Sequence, residues 1–380
     1  MNIYAALPVM NEPDVEHTIR QILSQTLPPK ALYVCVNQPD EYKHDADKQF
    51  IFEQNQQTIA YIRNQFPKVN IIDKSTHGWD SKNHGVGWAR KLLMDTINEI
   101  ANPEDIIISL DADTEYPPTY FKSVNQIFNI DTYPVAERSR SARPIALSNP
   151  YYHKLTGRKA EDRAMLRYEI YMRCYHLNLI RIGSPYAFTA LGSAIAVRIS
   201  AYRKMGGMAP KKSGEDFYFL QQLCKIGRVE TKNTVVVYPA TRLSNRVFFG
   251  TGPALIKGVN GDWNSYPIYS PKLWDEVAAI YQDFSRYFSS DDIQKFRANS
   301  KTEAQFQKFC HEKFDGLRIL QYLKSHHAEH PQSDEIGLSQ NLTVLGINTL
   351  LPSDFSFQTA KITLLDEIRD ILFAKLNNYP

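Results

Sequence analysis

The chain has 380 residues, with 44 Lys and Arg against 41 Asp and Glu and a formal charge of +3, so neither an acidic tail nor a nucleic-acid-binding surface is advertised. This length exceeds one ordinary hydrophobic core and implies a large domain with an appendage, or two domains. The charge-free stretch Ile182 to Val197 contains Gly183, Pro185 and Gly192 and falls short of a membrane span, while Met1 to Pro8 lacks the basic and long apolar regions of a signal peptide. The expected location is therefore the cytoplasm, with contact at a membrane surface left open. Four cysteines, Cys35, Cys174, Cys224 and Cys310, lie far apart without metal or redox spacing and read as reduced thiols. Aromatic residues reach 12 %, an excess that composition alone does not explain.

The first half alternates short β-rich runs with helical periods. Asn2 to Leu7 reads as a strand, and Val15, Ile19, Ile22 and Leu23 recur at helical spacing after Asn11-Glu12-Pro13-Asp14. Ala31 to Val36 is a nearly continuous apolar run, as in a strand covered on both faces. Ile51, Ile59, Ile62 and Phe66 mark a second helix ended by Pro67, followed by a strand from Val69 to Ile72. A third helix spans about Val86 to Ile100 and leads to the apolar strand Ile106 to Leu110. This alternation predicts a doubly wound, mostly parallel α/β sheet with helices on both faces, on which ligands bind outside the carboxyl ends of the strands.

From Thr132 to Arg158 the periodicity fades into a loop-like segment. A helix follows from about Lys159 to Arg181, then a strand from Gly192 to Val197, a short helix closed by Gly206-Gly207, and a helix from Asp216 to Ile226 closed by Gly227. Val235 to Tyr238 returns to strand. Beyond about Trp263 the pattern is helical, with Leu273 to Phe288, Thr302 to Leu323 and Thr359 to Leu376 as candidates. These features divide the chain into 1–264 and a C-terminal α-helical region, 265–380.

Three constellations bear on chemistry. Asp111-Ala112-Asp113 ends the strand Ile106 to Leu110 with two carboxylates at the sheet edge, either a site for magnesium or manganese on diphosphate oxygens or a solvated turn. Ser213-Gly214-Glu215-Asp216 opens a helix, where a carboxylate is held as the anion, either as a general base or as a cap. The loops Leu7 to Glu12 and Asn37 to Glu41 follow parallel strands and offer polar groups where a nucleoside would lie. Neither carries a Gly-x-Gly-x-x-Gly or Walker pattern, which argues against a dinucleotide oxidoreductase and a P-loop ATPase.

Taken in chain order, these constellations resemble the family 2 glycosyltransferases of GT-A fold over about residues 1 to 250. The likeness includes Leu7-Pro8-Val9-Met10-Asn11-Glu12, the helix start Gly85-Val-Gly87-Trp-Ala-Arg90-Lys91, and Asp111-Ala-Asp113 as counterpart of the DxD motif. It continues through Gly192-Ser-Ala-Ile-Ala-Val197, Tyr202 to Gly207 and Gly214-Glu215-Asp216. The resemblance implies an inverting, metal-dependent, non-processive transfer from a nucleoside diphosphate sugar to a hydroxyl of a glycan, lipid-linked or small-molecule acceptor. It implies that Asp111 and Asp113 bind nucleotide and a divalent cation, manganese or magnesium, and that Asp216, paired with Glu215, deprotonates the acceptor. Pro8, Asn11, Glu12 and Asp40 are then expected to hold the nucleoside and Arg90 to lie near the donor.

Two departures stand beside it. Asn37-Gln-Pro-Asp40-Glu41 replaces the acidic-Gly-Ser loop of many relatives, and no Gln-x-x-Arg-Trp motif follows Asp216, which argues against a processive synthase. Instead Arg242 and Arg246 lie in a Gly-containing segment, either a loop that closes on the donor diphosphate or a surface loop with local ion pairs. Tyr151, Tyr152, His153, Tyr168, Tyr171 and Tyr175 offer either acceptor-stacking faces or core packing. His153 or His176 is a candidate further metal ligand or a local hydrogen-bonding group, and His326-His327-x-x-His330 reads as solvent-exposed. The rivals are a sugar-phosphate nucleotidyltransferase, disfavoured because Leu7 to Glu12 lacks Gly and basic residues, and an inactive nucleotide-sugar-binding scaffold.

Overall fold

The computed structural model describes residues 1–129, 143–244, 250–349 and 351–379. In chain order its elements begin with β1 (Ile3–Val9), α1 (Val15–Leu23), β2 (Ala31–Pro39), α2 (Gln49–Gln65), β3 (Asn70–Trp79) and α3 (Val86–Ile100). Then come β4 (Ile106–Ser109), β5 (Thr114–Glu115), α4 (Tyr120–Phe128), β6 (Ala146–Ser148), α5 (Lys159–Arg181), β7 (Ile195–Arg198), α6 (Ile199–Lys204) and α7 (Glu215–Ile226). The remainder is β8 (Val229–Glu230), β9 (Tyr238–Pro239), α8 (Thr251–Val259), α9 (Pro271–Gln282), α10 (Ser290–Ala298), α11 (Glu303–Lys313), α12 (Gly316–Glu329), α13 (Asp334–Val344) and α14 (Ile362–Asn377). The chain forms two units, Met1–Leu155 with Ala190–Pro253, and Thr156–Thr189 with Ala254–Pro380.

The first unit is built on a sheet of order β3-β2-β1-β4-β7-β6-β8. Only β7 runs against the others, pairing antiparallel with β4 and β6. Strand periodicity sends Ile3, Ala5, Leu7 and Val9 into one core with Ile19 and Ile22 of α1, Ile59 and Ile62 of α2, and Phe121 and Val124 of α4. Tyr4 and Ala6 are equally buried on the opposite face, where α3 packs against β1 and β2. The expected doubly wound, mostly parallel sheet with helices on both faces is therefore present, as are the C-terminal helices. Because β1 sits between β2 and β4, the chain reverses its direction of winding there, which in a doubly wound sheet places the ligand crevice at the carboxyl ends of β1 and β4.

A buried polar knot fixes the loops at that edge. Asn55 of α2 accepts the Asn11 N–H through Oδ1 at 2.9 Å and donates to the Asn37 carbonyl at 3.2 Å. Asn11 is left-handed, with φ of 51°, a conformation that asparagine tolerates better than most side chains. Asn37 in turn donates to the Val9 carbonyl at 2.9 Å.

The second unit is helical and aromatic. Glu169 of α5, fully buried, receives Arg369 of α14 at 2.9 Å and Arg173 at 3.2 Å. Tyr168, Tyr171 and Tyr175 pack among Tyr266, Tyr269 and Trp274, so core packing accounts for these rings. The stretch expected as one helix from Thr302 to Leu323 is two, because Asp315 caps α12 by accepting the Arg318 N–H. Likewise the helix expected to reach Phe288 stops at Gln282, where Asp283 turns its carboxylate to the Ser285 N–H. Among the described residues no helix is long and apolar enough to cross a membrane.

Asn55→Ala removes the side chain that meets the Asn11 N–H, the Asn37 carbonyl and Gln38 Oε1. It should lower unfolding free energy by about 1–3 kcal/mol, read from urea denaturation, and unchanged stability would contradict the role given to the knot.

Candidate active site

Four chain segments meet at the carboxyl edge of the sheet, each for a topological reason. The segments after β1 and β4 arrive there as strand ends. Helix α3 starts there because it connects β3 to β4, and β7, being reversed, begins there, with Ile195 paired to Ser109. The residues just before β7 therefore lie beside Leu110 and Asp111.

Arg90, on the first turns of α3, fills the space between them and is only 4 % exposed. Its Nε–H donates to Glu215 at 3.1 Å and its Nη2 to Asp111 at 2.6 Å. Nη1 donates to Ser109 Oγ at 2.5 Å and to the Gly192 carbonyl at 2.9 Å. One guanidinium thus joins the Asp111 end of β4 to the Glu215 start of α7. Gly192 makes room for it: a Cβ there would lie 2.2 Å from Nη2. Gly87 serves the same approach, since a Cβ on it would meet the Lys211 carbonyl oxygen at 2.3 Å.

The electrostatics follow from burial. Desolvation raises the Asp111 carboxyl above its ordinary range; Arg90 opposes this and Asp113 adds to it. Glu215 is raised for the same first reason, with Asp216 beside it adding to the shift. Asp216 is also raised by burial, while Arg90 and the backbone N–H groups of Phe217, at 2.8 Å, and Gly192 favour its anion. For Arg90, burial alone would favour loss of the proton, but Asp111, Glu215 and Asp216 outweigh it and hold the guanidinium charged.

A second arginine covers the outer acids. The strand pair β5–β9 and the Ala240 N–H on the Asp113 carbonyl at 3.0 Å pin residues 238–240 beside the acidic turn. Arg242 then forks onto Glu12 at 3.0 and 3.1 Å and reaches Asp113 at 2.6 Å. Burial works against its charge, and these carboxylates restore it. Arg246 lies outside the described residues, as do 132–142 of the expected loop; β6 forms within the rest of that loop.

On the β2 side, Asp40 accepts the Gly78 N–H and the Lys43 ammonium, each at 2.7 Å, which lowers its pKa through the Lys43 bond first. Pro8 lies inside β1, which runs on to Val9, and is buried. The sequence motifs did not indicate Ser109, the backbone of Gly192, or Tyr116, whose hydroxyl accepts the Asp111 N–H at 2.8 Å. For Gly192 alone a signal was available, a glycine within Gly192-Ser-Ala-Ile-Ala-Val197 at a position of close approach.

The acid pair suits a hard divalent cation in its chemistry: two carboxylates at a sheet edge, where Asp113 crowds Asp111 with like charge that a cation would offset. Among the described residues no group of three or more His, Cys, Asp and Glu side chains could hold a metal. His153 packs edge-on against Tyr151, and His176, lowered to about 4 by burial, bonds the Ala187 carbonyl. His326 stacks on Tyr322 and His327 meets Tyr269 edge-on, so both are half-buried against rings, while His330 is exposed as expected for this cluster.

Arg90→Met would leave the buried Glu215 and the half-buried Asp111 without their shared cation. Denaturant unfolding should show a loss of about 3–5 kcal/mol, and a loss below 1 kcal/mol would contradict the network.

No family model and no curated protein matches the chain. Among solved structures it is similar to the mannosyltransferase PcManGT from Pyrobaculum calidifontis in complex with GDP-Man and Mn2+, at 14 % identity and TM-score 0.43, covering 100 % of this chain and 87 % of that one. It is also similar to S. aureus TarS 1–349, at 13 % identity and TM-score 0.39, covering 91 % and 92 %. A mycobacterial protein is similar at 13 % identity and TM-score 0.37, covering 68 % and 75 %.

Proposed function

We propose that the chain is an inverting glycosyltransferase that moves one sugar from a nucleoside diphosphate sugar to an acceptor hydroxyl. The observation that carries this reading is the buried Arg90 that holds Asp111 on one side and, on the other, Glu215, the neighbour of Asp216. Such a site presents acids suited to hold a divalent cation for a phosphorylated leaving group and, across from them, a carboxylate suited to accept a proton. In this reading residues 1–264 carry the chemistry, residues 265–380 form a helical region, and the protein acts in the cytoplasm.

Asn11, Glu12 and Asp40 border the nucleoside position, with Pro8 shaping the strand beneath it. Arg90 acts from within, setting the distance between the two acidic stations. Asp216 takes the proton from the acceptor oxygen as that oxygen attacks the anomeric carbon, and the bond to the diphosphate breaks on the opposite face. Glu215 fixes Arg90 and so the pitch of the helix start that carries Asp216. Asp113, with Asp111, would hold manganese or magnesium, which when bound supplies neutralising charge at the diphosphate oxygens. Arg242, and Arg246 by its place in the sequence, turn to the donor diphosphate, Arg242 exchanging its carboxylates for phosphate oxygens. The acceptor is a hydroxyl of a glycan, a lipid-linked sugar or a small molecule.

The test is incubation with a panel of nucleoside diphosphate sugars and manganese. Release of nucleoside diphosphate with sugar transfer supports the reading. Pyrophosphate formation from a sugar phosphate and a nucleoside triphosphate supports a nucleotidyltransferase, and no turnover supports a binding module. Asp216→Asn should lower kcat roughly 10²–10⁴-fold with donor affinity spared. Because burial raises the Asp216 pKa and the ionised form is the base, kcat/KM should fall as pH drops through a value above the ordinary carboxylate range. An acid limb at or below that range would contradict the assignment. Asp113→Asn should weaken manganese-dependent nucleotide binding in calorimetry, and unchanged affinity would remove Asp113 from that role.

A further inference from the structure

The pairing of β3 with β2 changes register near the crevice. Asn37 pairs with Lys74, yet Pro39, two residues on, pairs with Trp79, so β3 makes an excursion over residues 75–78 and returns. The return is tight: a Cβ on Gly78 would lie 2.6 Å from the Asp40 backbone nitrogen and 2.7 Å from the Gln38 carbonyl oxygen. It delivers two contacts, the Gly78 N–H on the Asp40 carboxylate at 2.7 Å and the Trp79 indole N–H on Asn37 Oδ1 at 3.2 Å. The same Asn37 amide holds the Val9 carbonyl at the end of β1, so the indole stands one side chain away from the loop that opens the crevice. Lys74 lies 4.9 Å from the ring centroid. Trp79 is partly exposed, although a buried position is the usual place for so large an apolar ring.

We infer that Trp79 is a nucleobase-stacking residue, forming with Asp40 the wall that receives the base of a nucleoside diphosphate. The inference rests on the transferase reading above and names a residue that reading does not use. An indole held by its N–H and by strand pairing keeps one orientation, so a base docks on it without the entropy cost of ordering the ring. Stacking tolerates either a purine or a pyrimidine, because every base has a π-face, whereas a carboxylate such as Asp40 reads N–H donors on the base edge.

The experiment is titration calorimetry in manganese with UDP, GDP and, as a base-free probe, pyrophosphate, on the wild type, Trp79→Ala and Trp79→Phe. Trp79→Ala should weaken the tighter nucleotide about tenfold or more and leave pyrophosphate within about twofold. Trp79→Phe keeps a ring and should retain most of the nucleotide affinity, which separates stacking from loss of the local fold. Nucleotide affinity unchanged in Trp79→Ala, or nucleotide and pyrophosphate weakened equally, would overturn the inference while leaving the transferase reading intact. Failure of the wild type to bind any of the three would overturn the transferase reading itself, and this inference with it.

Discussion

A guanidinium taken out of water has to recover five N–H interactions and a counter-charge from the protein, and the site is arranged around meeting that demand for Arg90. Ser109 and Gly192 supply neutral acceptors, and Asp111 and Glu215 supply charge. The partners come from three parts of the sheet edge: the end of β4, the approach to β7 and the start of α7. The reversed β7 brings Gly192 to the end of β4, and the start of α7 brings Glu215 to the first turns of α3. The missing Cβ at Gly192 admits the guanidinium, and its N–H supports Asp216 from the same backbone unit that accepts from Arg90. A change at any of these positions is therefore felt at both acidic stations.

The two arginines of the crevice differ in a way that bears on function. Arg90 is 4 % exposed on its side chain, whereas Arg242 is 38 % exposed and grips Glu12 and Asp113 from outside. In the buried setting the ion pairs are strong and costly to break; at the partly wet one they are weaker and exchangeable. In the proposed transfer, this contrast suits Arg90 to holding geometry and Arg242 to meeting the donor.

Much of the frame was legible in the sequence because its signals were local. The apolar runs of β1, β2 and β4 and the stripes of α1 and α3 report their burial directly. The far half of β3 was not legible, because Asp73 to Trp79 is polar and half exposed, and only pairing with β2 makes it a strand. α4 was missed because Tyr120 to Phe128 follows two prolines and is short, and the 302–323 region was read as continuous because the Asp315 cap interrupts an otherwise helical pattern. At the site, the acids stood out by type and order. The burial of Arg90, the hub at Gly192 and the Asn37–Asn55 knot depend on contacts between positions distant in sequence. The aromatic excess finds a physical account in the second unit, where rings such as Tyr171, Trp274, Tyr287 and Phe314 pack on one another.

In the proposed transferase, a buried Arg90 separates a donor half at Asp111 from an acceptor half at Asp216. The most direct measurement is a crystal structure with a nucleoside diphosphate and manganese, the metal located by its anomalous signal. The account predicts a peak at Asp113 bridging to the diphosphate, the nucleoside reaching toward Asp40, Arg242 moved off Asp113, and Arg90 still buried between Asp111 and Glu215. A nucleotide bound elsewhere, or Arg90 withdrawn from those carboxylates to contact it, would contradict the claim.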